Sequence, residues 1–360
     1  MLITLSYIKK LIYSMYWCIY IYIYTFITTL HTMPEHYLMN IAETFQLASF
    51  LMEENKFDEA IKYYLTVIER SKNVGENSTS TIKKCCVDAM FNLGDYYRTV
   101  HKYDLMKKYF EMAINKGDIG AMFNLSLYYY REPDYDNFVK YSLMVISESK
   151  SNPDKVSNDN DIRAMTNLSQ YYKTINKDVN NRLKYLLMII EKQNVDFIYV
   201  NYAATDLAYY YHNIEDYDNM VKYYLLIINQ PSNPENNDNR SKAMFDLGYH
   251  YYEQKELEPM RKYYHLAIEL ENADAMNNIA CDYEEQYANT LYEDKEIYDN
   301  MMKYFIMAIT KGHSNSMYDL ALFYEKIKDY TNMKKYLLMA ANSKHEAATI
   351  KLADMTSTQD

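Results

Sequence analysis

Ala89-Met90-Phe91-Asn92-Leu93-Gly94-Asp95-Tyr96-Tyr97 returns as Ala121-Met122-Phe123-Asn124-Leu125-Ser126-Leu127-Tyr128-Tyr129. Shorter forms follow as Ala164-Met165-Thr166-Asn167-Leu168-Ser169, Ala243-Met244-Phe245-Asp246-Leu247-Gly248, Ala275-Met276-Asn277-Asn278-Ile279-Ala280 and Ser316-Met317-Tyr318-Asp319-Leu320-Ala321. A period of roughly 30–45 residues marks a repeat array, in which one supersecondary unit buries its apolar face on the next. An array grows by stacking, so 360 residues need no single large core.

Around the motif each repeat reads as two helices. The first, helix A, carries Leu-small-x-x-Tyr, as in Leu93-Gly94-Asp95-Tyr96-Tyr97, which sets Leu93 and Tyr97 on one face at i, i+4. The small residue (Ala48, Gly94, Ser126, Ser169, Ala208, Gly248, Ala280, Ala321) admits a neighbouring helix at close range. A polar turn follows, with an aromatic and a capping candidate: Phe57-Asp58, Tyr103-Asp104, Tyr135-Asp136, Tyr217-Asp218, Tyr298-Asp299, Tyr330-Thr331. Glu258-Pro259 takes this place once, with Pro suited to the first helical position. Helix B then shows apolar residues at three-to-four spacing, as in Met106 to Ile114. The spacing between the helices is uniform except between Ile279 and Met301, where Gln286–Ile297 reads as a longer loop. Linkers between repeats lengthen at Ser71–Lys84, Ser147–Ile162, Gln193–Val200 and Gln230–Ser241.

Leu47-Ala48 through Asn55-Lys56-Phe57-Asp58-Glu59-Ala60-Ile61-Lys62-Tyr63-Tyr64 resembles a tetratricopeptide repeat. Ala113-Ile114-Asn115-Lys116-Gly117-Asp118 with Ala121 to Leu125, and Ala308-Ile309-Thr310-Lys311-Gly312-His313, resemble junctions of the Sel-one-like variant. The Gly-x-Gly turn usual inside Sel-one-like repeats is missing. The resemblance covers about residues 39–355 in eight repeats, plus a last helix at Glu346–Asp354. It implies an all-α right-handed superhelix whose helix A faces line a partner-binding groove. The tyrosine-rich style is also similar to that of repeat proteins of giant DNA viruses of amoebae.

Composition agrees with helices: 6 Gly and 6 Pro are too few for a strand-and-turn protein. A net charge of −11 argues against a nucleic-acid partner, which needs a basic track. The 43 tyrosines, with abundant Asn, Lys and Ile, fit a very AT-rich coding sequence. Cys18, adjacent Cys85 and Cys86, and Cys281 form no disulfide framework and read as free thiols in a reducing compartment, with a Cys85/Cys86/His101 metal site disfavoured for lack of ligand spacing.

Residues 1–32 stand apart from the array, which occupies 33–355, and from the tail at 356–360. Leu11–Leu30 carries no charge, follows Lys9-Lys10 and is long enough to span a bilayer as a signal anchor. Against that, Ile19-Tyr20-Ile21-Tyr22-Ile23-Tyr24 is what an alternating AT tract encodes, and Met33-Pro34-Glu35 offers a start directly ahead of the first repeat. The favoured expectation is a protein that begins near Met33 and is cytoplasmic, in a host cell's cytoplasm if viral. The alternative is a single-pass membrane protein.

No phosphate loop, dinucleotide fingerprint, His-Glu-x-x-His or Gly-x-Ser-x-Gly is present, so no catalytic residue, metal ligand or cofactor is expected. The Lys-Tyr pair of every helix B (Lys62-Tyr63 through Lys335-Tyr336) is period-locked and reads as packing. The Asn or Asp before the key Leu (Asn92, Asn124, Asn167, Asp206, Asp246, Asn278, Asp319) reads as a bond between repeats. What varies is the helix A face expected to line the groove: Phe91, Asp95 and Arg98; Phe123, Tyr130 and Arg131; Gln170 and Lys173; Tyr209 and His212; Phe245, Tyr249 and Tyr252; Tyr318. Aromatics among single charges suit a protein or peptide partner. Phe91, Phe123 and Phe245 stand where a carboxylate-clamp Lys would be, which disfavours a chaperone-tail receptor. The expected function is a non-catalytic scaffold or adaptor. Its alternatives are a membrane-anchored form and a regulatory subunit of an enzyme complex.

Overall fold

A computed structural model describes residues 40–72, 79–151, 159–231 and 234–357. All regular structure among them is helical. The chain divides into two compact lobes, Met1–Asn160 and Asp161–Asp360. The first holds α1 (Ile41–Glu53), α2 (Phe57–Lys72), α3 (Ser80–Thr99), α4 (Tyr103–Ile114), α5 (Ile119–Arg131) and α6 (Tyr135–Ser151). From α7 (Asn160–Thr174) the second continues with α8 (Val179–Glu191), α9 (Phe197–Asn213), α10 (Tyr217–Ile228), α11 (Asn237–Glu253) and α12 (Leu257–Glu269). It ends with α13 (Ala273–Asn289), α14 (Lys295–Thr310), α15 (Ser314–Lys326), α16 (Tyr330–Asn342) and α17 (Glu346–Ser357). Odd-numbered helices up to α15 are the A helices and even-numbered ones their B partners, so eight hairpins precede the final helix. Neighbouring hairpins stack within each lobe, an all-α solenoid arrangement.

The small residue of helix A is what lets each hairpin close. Ala48, Ser126, Ser169, Ala208, Ala280 and Ala321 are all 0% exposed. A Cβ at Gly94 would lie 2.5 Å from the Phe110 ring, and one at Gly248 would lie 2.6 Å from Tyr264. Three residues further on, Tyr97, Tyr129, Tyr172, Tyr211, Tyr251, Tyr283 and Tyr324 stack nearly parallel on the B-helix tyrosines Tyr109, Tyr141, Tyr185, Tyr223, Tyr263, Tyr304 and Tyr336. Each such pair contributes about 0.5–1.5 kcal/mol beyond burial. The preceding Lys of the Lys-Tyr pair holds its ammonium over the ring, from 5.4 Å at Lys108 to 4.9 Å at Lys335. The pair is therefore packing, as its period implied. In the first repeat Leu51 replaces the stacking tyrosine and is buried.

Contacts between repeats use the expected Asn or Asp. Asn92 donates to the Tyr64 hydroxyl and Asn278 to the Tyr264 hydroxyl, both at 2.9 Å, reaching from one helix A to the B helix before it. Tyr224 donates to Asp246 at 3.4 Å in the same register. Asp206 instead receives Arg182 at 2.8 Å and Lys173 at 2.5 Å, so a carboxylate with a side chain only 6% exposed is doubly paired. Arg261 grips Asp282 through two bonds, at 2.8 and 3.1 Å.

Three sequence expectations are corrected. Gln286–Ile297 is not a long loop: α13 runs on to Asn289 and α14 starts at Lys295, capped by Asp294. No Gly or Pro interrupts that stretch, and Tyr287 packs on Tyr298 and Phe323, so the extra residues lengthen the helices. The caps of four B helices lie one residue before the first helical residue, at Asp134, Asp178, Asp216 and Asp329, each accepting from the amide three residues on. Asp104, Asp136 and Asp218 sit in the first turn, where their charge is favourable at the positive end of the helix dipole. Pro259 is the third residue of α12, still within the turn whose amides lack partners. Residues 1–39, with both readings of Leu11–Leu30, and the tail at 358–360 lie outside the described residues. Among those described, no helix is long and apolar enough to cross a membrane.

Candidate partner-binding surface

Helix A faces present very different surfaces in the two lobes. In the first, Phe91 is half-buried with its ring 5.8 Å from Phe110, and it fills the space above Gly120. Phe123 is 3% exposed, which corrects its assignment to the groove: α5 buries Ala121, Met122, Leu125 and Ser126 as α3 buries Ala89, Met90, Leu93 and Gly94, and its groove-side aromatic is covered as well. Tyr130 packs on Phe138 at 5.1 Å, and Arg131 is exposed at the end of α5. Asp95 and Arg98 pair with each other one turn apart at 2.7 Å. Counting from Ala48, the equivalents in α1 are Ser49, Met52 and Glu53, which the sequence reading left out because its groove began at Phe91. The same offset from the small residue would have found them. Ser49, Met52 and Glu53 line a cavity of about 450 Å³ with Phe57, Tyr64, Asn92, Asp95, Tyr96 and Thr99.

In the second lobe the A helices bond to one another in sequence. Gln170 accepts from Tyr202 at 3.3 Å, and Lys173 is taken by Asp206. From α9, Tyr209 donates to Asp246 of α11 at 3.3 Å, and His212 lies 3.9 Å from Glu253. Asp246 is desolvated, and burial holds its carboxyl above the usual range in spite of Lys242 and the Tyr209 and Tyr224 hydroxyls. The Glu253 carboxylate beside Tyr249 pushes that phenol up in turn. Phe245 is half-buried against Tyr264, at 5.7 Å. Tyr318 stacks on His345, the residue before α17, at 4.5 Å and is spent on closing the array. Tyr209, Tyr249 and Tyr252 remain 41%, 45% and 55% exposed. They therefore form, with the His212 imidazole and the Glu253 carboxylate, a cluster of open aromatics and polar groups on α9 and α11.

A second constellation has the distances of a catalytic triad. Asp274 lies 3.0 Å from His313 Nε2, and His313 Nδ1 lies 2.7 Å from the Ser316 hydroxyl. Ser316 is 0% exposed and bonds Asn277 at 2.6 Å, while His313 Nδ1 caps α15 by accepting from the Ser316 amide. No reacting carbonyl can reach that oxygen, so the group is a staple between α13 and α15. Cys85 and Cys86 are buried and Ser71 donates to Cys86, whereas His101 is exposed on a turn, so the three do not converge on a metal. Burial pushes the Cys281 thiol up to about 12, far from the range of a reactive thiolate. Among the described residues no group of three or more His, Cys, Asp or Glu side chains could hold a metal ion.

Residues 45–74 match the tetratricopeptide repeat family. No curated protein sequence matches the chain. Similar solved structures include the apo quorum sensor NprR from B. thuringiensis, with 11% identity over 89% of this chain and 92% of that one at a TM-score of 0.35. Aspartyl phosphate phosphatase F from Bacillus subtilis has 13% identity over 89% and 87%, at 0.34. The TPR2AB domain of yeast Sti1 in complex with an HSP90 peptide has 14% over 76% and 96%, at 0.28. No function passes to this chain at that level of likeness.

Proposed function

We propose that this helical repeat protein, which carries a tetratricopeptide repeat in its first hairpin, is a non-catalytic cytoplasmic scaffold that binds a protein or peptide partner on its helix A faces. The observation that carries this reading is the open cluster of Tyr209, Tyr249 and Tyr252. Elsewhere on the A helices, aromatics such as Phe91, Phe123, Phe245 and Tyr318 are drawn into packing. Large aromatics left in water on successive A helices gain from burial and supply the usual anchors of an interface. His212 and Glu253 beside them add hydrogen-bonding groups, and Lys242 lies over the Tyr209 ring at 5.9 Å. The Gly117 and Gly312 junctions favour the Sel-one-like form of the repeat over the plain tetratricopeptide form.

The test is Tyr209→Ala combined with Tyr249→Ala, measured on a partner recovered from the native source. Each anchor is expected to cost about 2 kcal/mol of binding, with the helical circular-dichroism signal unchanged. Binding that survives both changes and is lost on altering 290–294 or 147–162 would assign recognition to the loops.

A further inference from the structure

The cavity between α1, α2 and α3 differs in chemistry from the tyrosine cluster of the second lobe. Its walls are aromatic: the Phe57 and Tyr96 rings lie 5.3 Å apart, and the buried Tyr64 ring backs them with its hydroxyl held by Asn92 and near Ser49. Two carboxylates line it, Glu53 and Asp95, and no basic side chain does. Glu53 is exposed, and among the described residues no cation pairs with it. Arg98 pairs with Asp95 through one oxygen only, Oδ1, which both its nitrogens meet. Two turns earlier on the same face of α3, Asp88 is half-buried with no hydrogen bond or ion pair among the described residues. Desolvation holds its carboxyl above the usual range; Lys84 opposes this and Asp118 adds to it. A carboxylate drawn out of water without a partner is stabilised by any cation that reaches it.

We propose that this groove takes an extended basic segment of a partner protein, one Lys or Arg side chain entering the Phe57/Tyr64/Tyr96 pocket against Glu53 and Asp95 and a second reaching Asp88. Aromatic faces attract the cation and pack its aliphatic stem, and the carboxylates supply charge complementarity. Seven residues of helix separate Asp88 from Asp95, about 10 Å, which an extended chain covers in about three residues. The segment therefore carries its basic residues three apart. The proposal rests on the reading of helix A faces as the binding surface and gives the partner's chemistry in the first lobe.

The test is selection of a random dodecapeptide library on the full-length protein, followed by anisotropy titration of the selected peptides. Binders are expected to be rich in Lys and Arg spaced by three and to weaken about tenfold on E53Q/D95N, and less on D88N. These amide exchanges keep side-chain shape, and a melting curve confirms that each variant folds. Binders without basic residues that are lost on Thr99→Arg would overturn the proposal and leave the helix A reading intact. Binders indifferent to every helix A substitution would remove both, and a library yielding no binder counts against this one.

Discussion

A methyl group at Gly94 would meet the Phe110 ring at 2.5 Å, a distance no Cβ tolerates, and Phe110 is 0% exposed with nowhere to move. Gly94→Leu is expected to cost about 1–3 kcal/mol through overpacking, and Leu93→Ala about 2–5 kcal/mol through the cavity it leaves. Thermal melts of the two variants check this, and unchanged melting in both would mean that the buried face is misplaced. Asp246 tests a different term. Its carboxyl is raised by burial, so the folded protein binds its proton more tightly than the unfolded chain does. Stability should therefore rise as pH falls through the window between its raised folded value and the ordinary carboxylate value. Above that window the buried charge is a constant cost. Asp246→Asn keeps an acceptor for Tyr209 and Tyr224 and removes the charge. It should stabilise the protein at neutral pH and flatten this part of the pH profile, as read by denaturant melts across pH. Position by position, the sequence made packing residues legible because they recur. It misplaced Phe123, since α3 and α5 bury the same motif positions and only the surrounding elements decide whether the aromatic between them is covered.

The turns between helices show a backbone demand that the sequence meets unevenly. Six of the eight hairpins place one residue in the left-handed region, near φ 60°, after helix A, at Asn55, His101, Lys177, Glu215, Lys255 and Lys328, and the seventh places two, Leu291 and Tyr292. At the junctions between repeats, Gly117 and Gly312 take that conformation, while Glu271 and Lys344 take it without glycine's freedom. These ends are Schellman motifs, as when Lys56 N–H reaches Leu51 and Asn55 N–H reaches Met52. Nothing lies within 4 Å of a Cβ at Gly312, so Gly312→Ala isolates backbone strain from crowding. It should destabilise by about 1 kcal/mol, and Glu271→Gly should stabilise by up to about 1 kcal/mol, both from urea midpoints. The helices were legible from period and small residues. The length of α13 and α14 was not, because Gln286–Ile297 is polar in composition yet lacks any helix breaker, and Tyr287 supplies the tertiary contact that holds it.

Across the molecule, packing covers most aromatics of the A helices. Seven tyrosine stacks seal the hairpins, and polar side chains of the second lobe join successive A helices, so what remains in water on those faces stands out. The sequence narrowed the surface to helix A by subtraction. It could not separate Tyr209, Tyr249 and Tyr252, which stay open, from Tyr318, which His345 covers. The most direct test of a helix A scaffold is photo-crosslinking in lysate of the native source, with benzoylphenylalanine at position 209, 249, 65 or 338. Leu65 and Leu338 are exposed on B helices, at 40% and 45%, and serve as the outer reference. One partner crosslinked from 209 and 249 and absent from 65 and 338 is the expected result. The same partner captured from 65 or 338, with 209 and 249 silent, would contradict it.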